Sequence, residues 1–207
     1  MGATQQDAWI FWTLLAFLCG SVPFSLLIGF WVLHVDVRRY GDGNPGASNV
    51  IRVGDWRVGI LAVLLDSFKG AAPVGTAYFF MSIQDWRIVP IAIAPVAGHA
   101  FSPWLRFRGG KAVAVTFGVW TGLTLGEAPI LLGIFLLLTY FTVAVHGWAV
   151  ILAMLGLLVG LLISHHGLVF LGVWLGNMAV LIFKHRHDLV RPPGVNPVIL
   201  RWLRRRF

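Results

Sequence analysis

The chain has 207 residues, of which 58% are hydrophobic and only 12% charged, with ten tryptophans and a formal net charge of +8. That composition excludes an ordinary soluble domain. The single cysteine, Cys19, excludes an internal disulfide.

A membrane span needs about 20 mostly apolar residues, and residues 9–33 supply the first. No basic residue precedes them, and Pro23 with Ser21 and Ser25 interrupts the run, so they are read as a helix and not as a cleaved leader. A polar connection, "HVDVRRYGDGNPGASNVIRVGDWR", fills 34–57. Further apolar stretches follow at 58–83, 88–105, 112–126, 128–145, 148–164 and 168–184, and 192–207 form a basic tail. The stretch 112–126 is short, and Gly126 followed by Pro129 makes a turn after it. The expected fold is all-α, a polytopic integral membrane protein in one domain with about seven transmembrane helices.

If the helices alternate sides, 34–57, 106–111, 146–147 and the tail share one face. Every Lys and Arg except Arg87 and Lys69 then falls on that face. Positive charge is retained on the cytoplasmic side, so the N-terminus is expected outside and the C-terminus in the cytoplasm. Part of the excess serves anionic lipid headgroups, and no nucleic-acid partner is expected. Lipid attraction does not explain why asparagine and glycine accompany the arginines.

Three polar clusters stand on this face. In the first, Gly41, Gly43 and Gly46 permit close backbone approach while Pro45 stiffens the turn. Such a loop can cradle an anion, and Arg52 adds a bidentate fork. Taken alone it reads equally as a tight turn. The second cluster, "GHAFSPWLRFRGGKAVAVTFG" at 98–118, opens an apolar helix with Gly109, Gly110 and Lys111, a setting for one phosphate. It is not a nucleotide-triphosphate loop, because Leu105 and Ala112 stand where that pattern needs a glycine and a hydroxyl. The third, "KHRHDLVRPPG" at 184–194, brings His185, Asp188 and Arg191 to one face of a continued helical turn. A histidine there can move a proton and an arginine can hold phosphate. A metal site is not expected, because His165 and His166 lie one helix length from His185 and His187. Asp66 and Lys69, three apart inside a span, suit an ion pair, as charge in hydrocarbon demands. Their role, like that of His99, is open between catalysis and structure.

The order of these pieces resembles the bacterial acyl-phosphate:glycerol-3-phosphate acyltransferase family, PlsY. That family carries Gly-Ser-Gly-Asn-x-Gly-(Ala)-Thr-Asn-x-x-Arg after its first helix, matched by "GDGNPGASNVIR" at 41–52. Its Asp-x-x-Lys-Gly appears as Asp66, Lys69 and Gly70, and its Gly-His as Gly98 and His99. Its Lys-Gly-Gly-Lys-Gly-Val-Ala-Thr is matched by "RGGKAVAV" at 108–115, and its His-Arg-x-Asn-x-x-Arg by "HRHDLVR" at 185–191.

The resemblance implies transfer of a fatty acyl group from acyl phosphate to the 1-hydroxyl of sn-glycerol 3-phosphate, giving lysophosphatidic acid and phosphate in phospholipid synthesis. It implies no cofactor, no metal and no acyl-CoA, and a site on the cytoplasmic face of the cell (inner) membrane. Gly109, Gly110 and Lys111 are expected to hold one phosphate, with Asn44, Ser48, Asn49, Arg52 and Arg191 around the other substrate. Lys69 and His99 complete the binding set, and the catalytic candidates are His185, Asp188 and Asp42. The chain departs from the family at Asp42 for serine, Ser48 for threonine, Ala112 for glycine and Asp188 for asparagine, and "RPPGVNP" replaces a Gly-x-Glu ending. Two alternatives stay open: a related transferase with another polyol or phosphorylated acceptor, and a non-enzymatic lipid-binding or transport protein.

Reporter fusions check the topology. Those after residue 50 and at the C-terminus are expected to report cytoplasm, and one near Asp85 the outside. A cytoplasmic signal near Asp85 would separate the three clusters.

Overall fold

The computed structural model describes residues 8–197, and the chain is helical almost throughout. The helices are α1 Ala8–Ser21, α2 Phe24–Trp31, α3 Ala47–Val53, α4 Trp56–Gly75, α5 Ile88–Ala100, α6 Val113–Thr124, α7 Glu127–Thr142, α8 His146–Ile163 and α9 Leu168–Leu189. A π-helical turn, Thr76–Phe80, extends α4. Among the described residues, five segments are long and apolar enough to cross a membrane: Ala8–Trp31, Trp56–Phe80, Ile88–Leu105, α8 and α9. The other two apolar helices, α6 and α7, have 12 and 16 residues. At 1.5 Å per residue they reach about 18 and 24 Å, short of the roughly 30 Å hydrocarbon layer.

Large apolar side chains are exposed around the bundle, including Phe11, Leu14, Phe68, Ile130, Leu137 and Leu175. Such a surface suits lipid and not water. Inside, Trp120, Ile91, Met154, Leu157 and Leu181 are fully buried. The α4–α6 contact is close because glycine faces backbone: a Cβ on Gly70 would meet the Val115 carbonyl at 2.6 Å, and one on Gly118 would overlap the Ser67 carbonyl. Small residues at helix contacts are how apolar helices gain packing in lipid.

Three boundaries differ from the sequence expectation. The stretch 9–33 is two helices, broken at Val22 and Pro23, because proline lacks the N–H that a continuous helix needs there. The polar connection 34–57 contains α3. The last helix runs to Leu189 and not 184, so His185 and Asp188 sit on α9 itself. Of the expected tail, residues 194–196 fold back on the α7–α8 connection, through Ala144 N–H to the Gly194 carbonyl at 2.8 Å and Asn196 N–H to the Thr142 carbonyl at 2.9 Å. Arg201, Arg204, Arg205 and Arg206 lie outside the described residues.

The break between α1 and α2 organises the buried polar groups. The Val22 carbonyl accepts from Lys69 Nζ at 2.7 Å, and the Ser21 carbonyl accepts from Ser102 Oγ at 2.6 Å. Lys69 Nζ also lies 2.6 Å from Asp66 Oδ1, with both side chains 2% exposed. Ser25 Oγ donates to Asp66 Oδ2 at 2.5 Å. The expected intrahelical pair is therefore formed and ties α4 to the α1–α2 break and to α2, while Ser102 ties the segment after α5 to the same break.

Removing one partner of a buried pair costs about 3–5 kcal/mol, because the other charge is left alone. Lys69→Met is therefore expected to destabilise the protein by that amount in detergent unfolding. Adding Asp66→Asn should recover part of the loss. A double variant no more stable than the single one would mean that the pair is not the source.

Candidate functional site

The site is built where α3, α6 and α9 end near the 40–46 loop. Gly41 and Gly43 have φ of +59° and +72°, a region that glycine enters without strain. At Gly41 there is also no room, because a Cβ would overlap Asn49 Oδ1 and come within 2.9 Å of Arg52 Nε. Asp42 Oδ1 accepts from the Asn44 N–H at 3.1 Å and from Asn49 Nδ2 at 3.0 Å. Asn49 Nδ2 also donates to the Asn44 carbonyl at 2.9 Å, and Asn49 is 2% exposed. Asn49 thus shapes the loop from within. Ser48 and Arg52 are exposed on α3.

Lys111 stands at the centre. Its Nζ lies 3.1 Å from Asp42 Oδ2 and 2.9 Å from Asp188 Oδ2. Burial pushes the Asp42 carboxyl up, but hydrogen bonds from Lys111, the Asn44 amide and Asn49 outweigh it and hold it below the usual carboxylate range. Burial pushes Lys111 down, yet the two carboxylates prevail and keep it above an ordinary lysine. Asp42 therefore stays ionised at neutral pH beside an ionised lysine.

The Gly109–Gly110 pair is buried and packs on His99. A Cβ on Gly110 would overlap His99 Nε2, and one on Gly109 would overlap the His99 carbonyl. The Gly110 N–H donates to that carbonyl at 3.1 Å, so this amide is already engaged and the glycines serve close packing. Lys184 Nζ fastens the same segment, donating to the carbonyls of Ala100 at 3.0 Å and Gly109 at 2.8 Å. Next in the chain, Ala112 takes φ +63° as the N-cap of α6, a left-handed conformation that suits the family's glycine better. The free amides of the first turn of α6 follow immediately.

His185 is 2% exposed, and its Nδ1 lies 2.9 Å from the Leu181 carbonyl. With Nδ1 donating there, the neutral ring carries its lone pair on Nε2. The first turn of α8 presses on this place, since a Cβ on Gly147 would come 2.5 Å from Asp188 Cβ and 3.3 Å from His185 Cβ.

Several expected contacts are different in the structure. Asp188 pairs with Lys111 and not with Arg191, whose carbonyl accepts from Trp148 Nε1 at 2.7 Å. Arg38 pairs with Asp36 at 2.8 Å. Lys69 and His99 lie in the interior, His99 Nδ1 being 3.9 Å from Asp66 Oδ1, and support the site from beneath. Sequence reasoning missed Lys184 and Ser25. Lys184 was visible only as one more basic residue at a helix end, and Ser25 only as an interruption beside Pro23.

The family model for glycerol-3-phosphate acyltransferase matches residues 10–192. The chain belongs to the glycerol-3-phosphate acyltransferase family. It is 38% identical over 186 residues to a glycerol-3-phosphate acyltransferase of Thermus thermophilus, covering 87% of this chain and 89% of that one. It is 42% identical over 120 residues to glycerol-3-phosphate acyltransferase 1 of Thermotoga maritima, where the match spans 56% of this chain and 58% of the relative's length. Crystal structures of PlsY (YgiH), an integral membrane glycerol 3-phosphate acyltransferase, are similar in fold. The glycerol 3-phosphate form has a TM-score of 0.80 at 28% identity, over 89% of this chain and 91% of that one. The lysophosphatidic acid form has a TM-score of 0.81 at 27% identity over the same shares. The protein is thus an acyltransferase-family member with several membrane-crossing helices.

The packing of His99 under Gly110 is testable. Gly110→Ala is expected to destabilise the protein, and His99→Ala to relieve part of that loss. Contacting residues in a double-mutant cycle couple by about 0.5–3 kcal/mol. Gly109→Ala meets backbone and should gain nothing from His99→Ala. A zero coupling at Gly110 would remove the ring from beneath the loop.

Proposed function

We propose that this protein transfers a fatty acyl group from acyl phosphate to the 1-hydroxyl of sn-glycerol 3-phosphate, giving lysophosphatidic acid and inorganic phosphate. One observation carries the reading. Asp42, Gly110–Lys111 and His185–Asp188 come from three distant parts of the chain and converge around one ammonium group at one end of an apolar bundle. Both substrates carry phosphate and the donor also carries an acyl chain, so a cationic centre beside lipid suits them. The family match over residues 10–192 supports the same chemistry.

Acyl phosphate is already activated, so holding the two substrates in line and compensating the departing charge are the main requirements. The hydroxyl oxygen forms a bond to the acyl carbon, and the bond from that carbon to the phosphate oxygen breaks. The hydroxyl proton passes to Nε2 of His185 and on to the departing phosphate. Lys111 and Arg52 compensate phosphate charge, and the first turn of α6 presents amides to it. Ser48, Asn44 and Arg191 lie around the rim. The chain crosses the cell (inner) membrane about seven times, with α6 and α7 as the short passages, and the site faces the cytoplasm. The basic residues of 38–57, 106–111 and 184–191 on a common face support that orientation.

Purified protein given acyl phosphate and glycerol 3-phosphate is expected to form lysophosphatidic acid and phosphate. His185→Gln should lower kcat by about 10²-fold or more, the usual range for a lost general base. Formation of acylglycerol from glycerol in preference to lysophosphatidic acid would point to a different acceptor. No acyl transfer at all would overturn the proposal.

A further inference from the structure

The charges around Lys111 do not suit a simple phosphate anchor. A lysine ammonium has three N–H donors, and two of them face Asp42 Oδ2 at 3.1 Å and Asp188 Oδ2 at 2.9 Å. Asp42 is held in place by the Asn44 amide and by the buried Asn49, and the first turn of α8 at Gly147 packs closely against the Asp188 Cβ. The three groups together carry a formal net charge of −1 by simple addition of one lysine and two carboxylates, next to the place where a phosphate must bind. Two other cations of this part of the chain are engaged elsewhere. Arg38 is held by Asp36, and Lys184 by two backbone carbonyls.

We infer that Asp42 and Asp188 are specificity-determining residues that compete with phosphate for Lys111. A phosphate can reach Lys111 only through its third N–H or by drawing the ammonium off one carboxylate, and in both cases it meets two like charges. The pair therefore lowers the affinity of the site for a phosphate dianion and tilts it toward less charged ligands. The side chains of Lys111, Asp42 and Asp188 are 29%, 44% and 33% exposed, so solvent screens the effect and keeps it moderate. This inference rests on the proposed acyl transfer only for its consequence in catalysis; the competition itself is a property of binding.

The test measures inorganic phosphate binding to the purified protein by calorimetry, and separately the KM for glycerol 3-phosphate. The variants are Asp42→Asn, Asp188→Asn and the double change, which keep side-chain shape while removing charge. Each single change is expected to tighten phosphate binding by about threefold to fivefold, the affinity equivalent of a partly exposed ion pair. The double change should tighten it by about tenfold. KM for glycerol 3-phosphate should fall in parallel while kcat changes less. Asp85→Asn, which removes a carboxylate from the Asp85–Arg87 pair on the opposite side, serves as a control for net charge and should change neither quantity. Asp42→Ser provides a second neutral variant if the asparagine form unfolds. Unchanged or weaker phosphate binding in all the neutral variants would overturn the inference, because the aspartates would then serve to aim Lys111. Tighter phosphate binding without any acyl transfer would keep this inference and sink the proposed function. Acyl transfer with unaltered phosphate binding would do the reverse.

Discussion

The structure depends on what happens to two backbone carbonyls at the Val22–Pro23 break. In hydrocarbon no water is present to satisfy them, so a broken helix is tolerated only where the protein supplies donors. Here the side-chain donors are Lys69 Nζ and Ser102 Oγ, one from α4 and one from the turn after α5, beside the Phe24 N–H that also reaches the Val22 carbonyl at 3.1 Å. Lys69 in turn needs a counter-charge, and Asp66 and Ser25 complete that demand. The break thus fixes α1, α2 and α4 together with the segment that begins at Ser102.

That segment leads directly to the site. Residues 102–112 leave α5, pass Gly109 and Gly110 over His99, and deliver Lys111 to the head of α6. The His99 ring lies 3.9 Å from Asp66 of the buried charge pair below and packs under Gly110 above. Lys184 clamps the same turn from α9. The position of the central ammonium is therefore set by buried polar contacts several residues away, while the ammonium itself stays partly exposed. Preorganisation of this kind is what the proposed acyl transfer from an activated donor requires.

The electrostatics around Lys111 differ in kind from those below it. Asp66 and Lys69 are sealed from solvent, so their attraction is strong and each is costly to remove alone. Lys111, Asp42 and Asp188 are partly solvated, so their contacts are exchangeable and a phosphate can contend for them. A buried pair serves rigidity, and a half-exposed trio is open to the selection inferred above. The difference follows from burial and not from residue type.

Much of this was legible in the chain alone. Apolar runs of spanning length read directly as membrane helices, because length and hydropathy decide insertion locally, whereas the shorter runs of α6 and α7 do not. The Asp66–Lys69 pair was readable because two charges three residues apart inside such a run must meet. The order of the glycine, histidine and lysine motifs was sufficient to indicate the family. Tertiary structure alone decided the partners. Nothing in the spacing of Asp42, Lys111 and Asp188 says that they meet, and helical spacing alone set Arg191 beside Asp188 instead. Nor did the sequence say that Gly110 yields space to His99, or that Lys184 turns inward onto carbonyls. Local pattern determines which segments enter the bilayer, since each residue there answers to lipid on its own. Pairing across the bundle depends on how the helices pack, and packing is a property of all of them together.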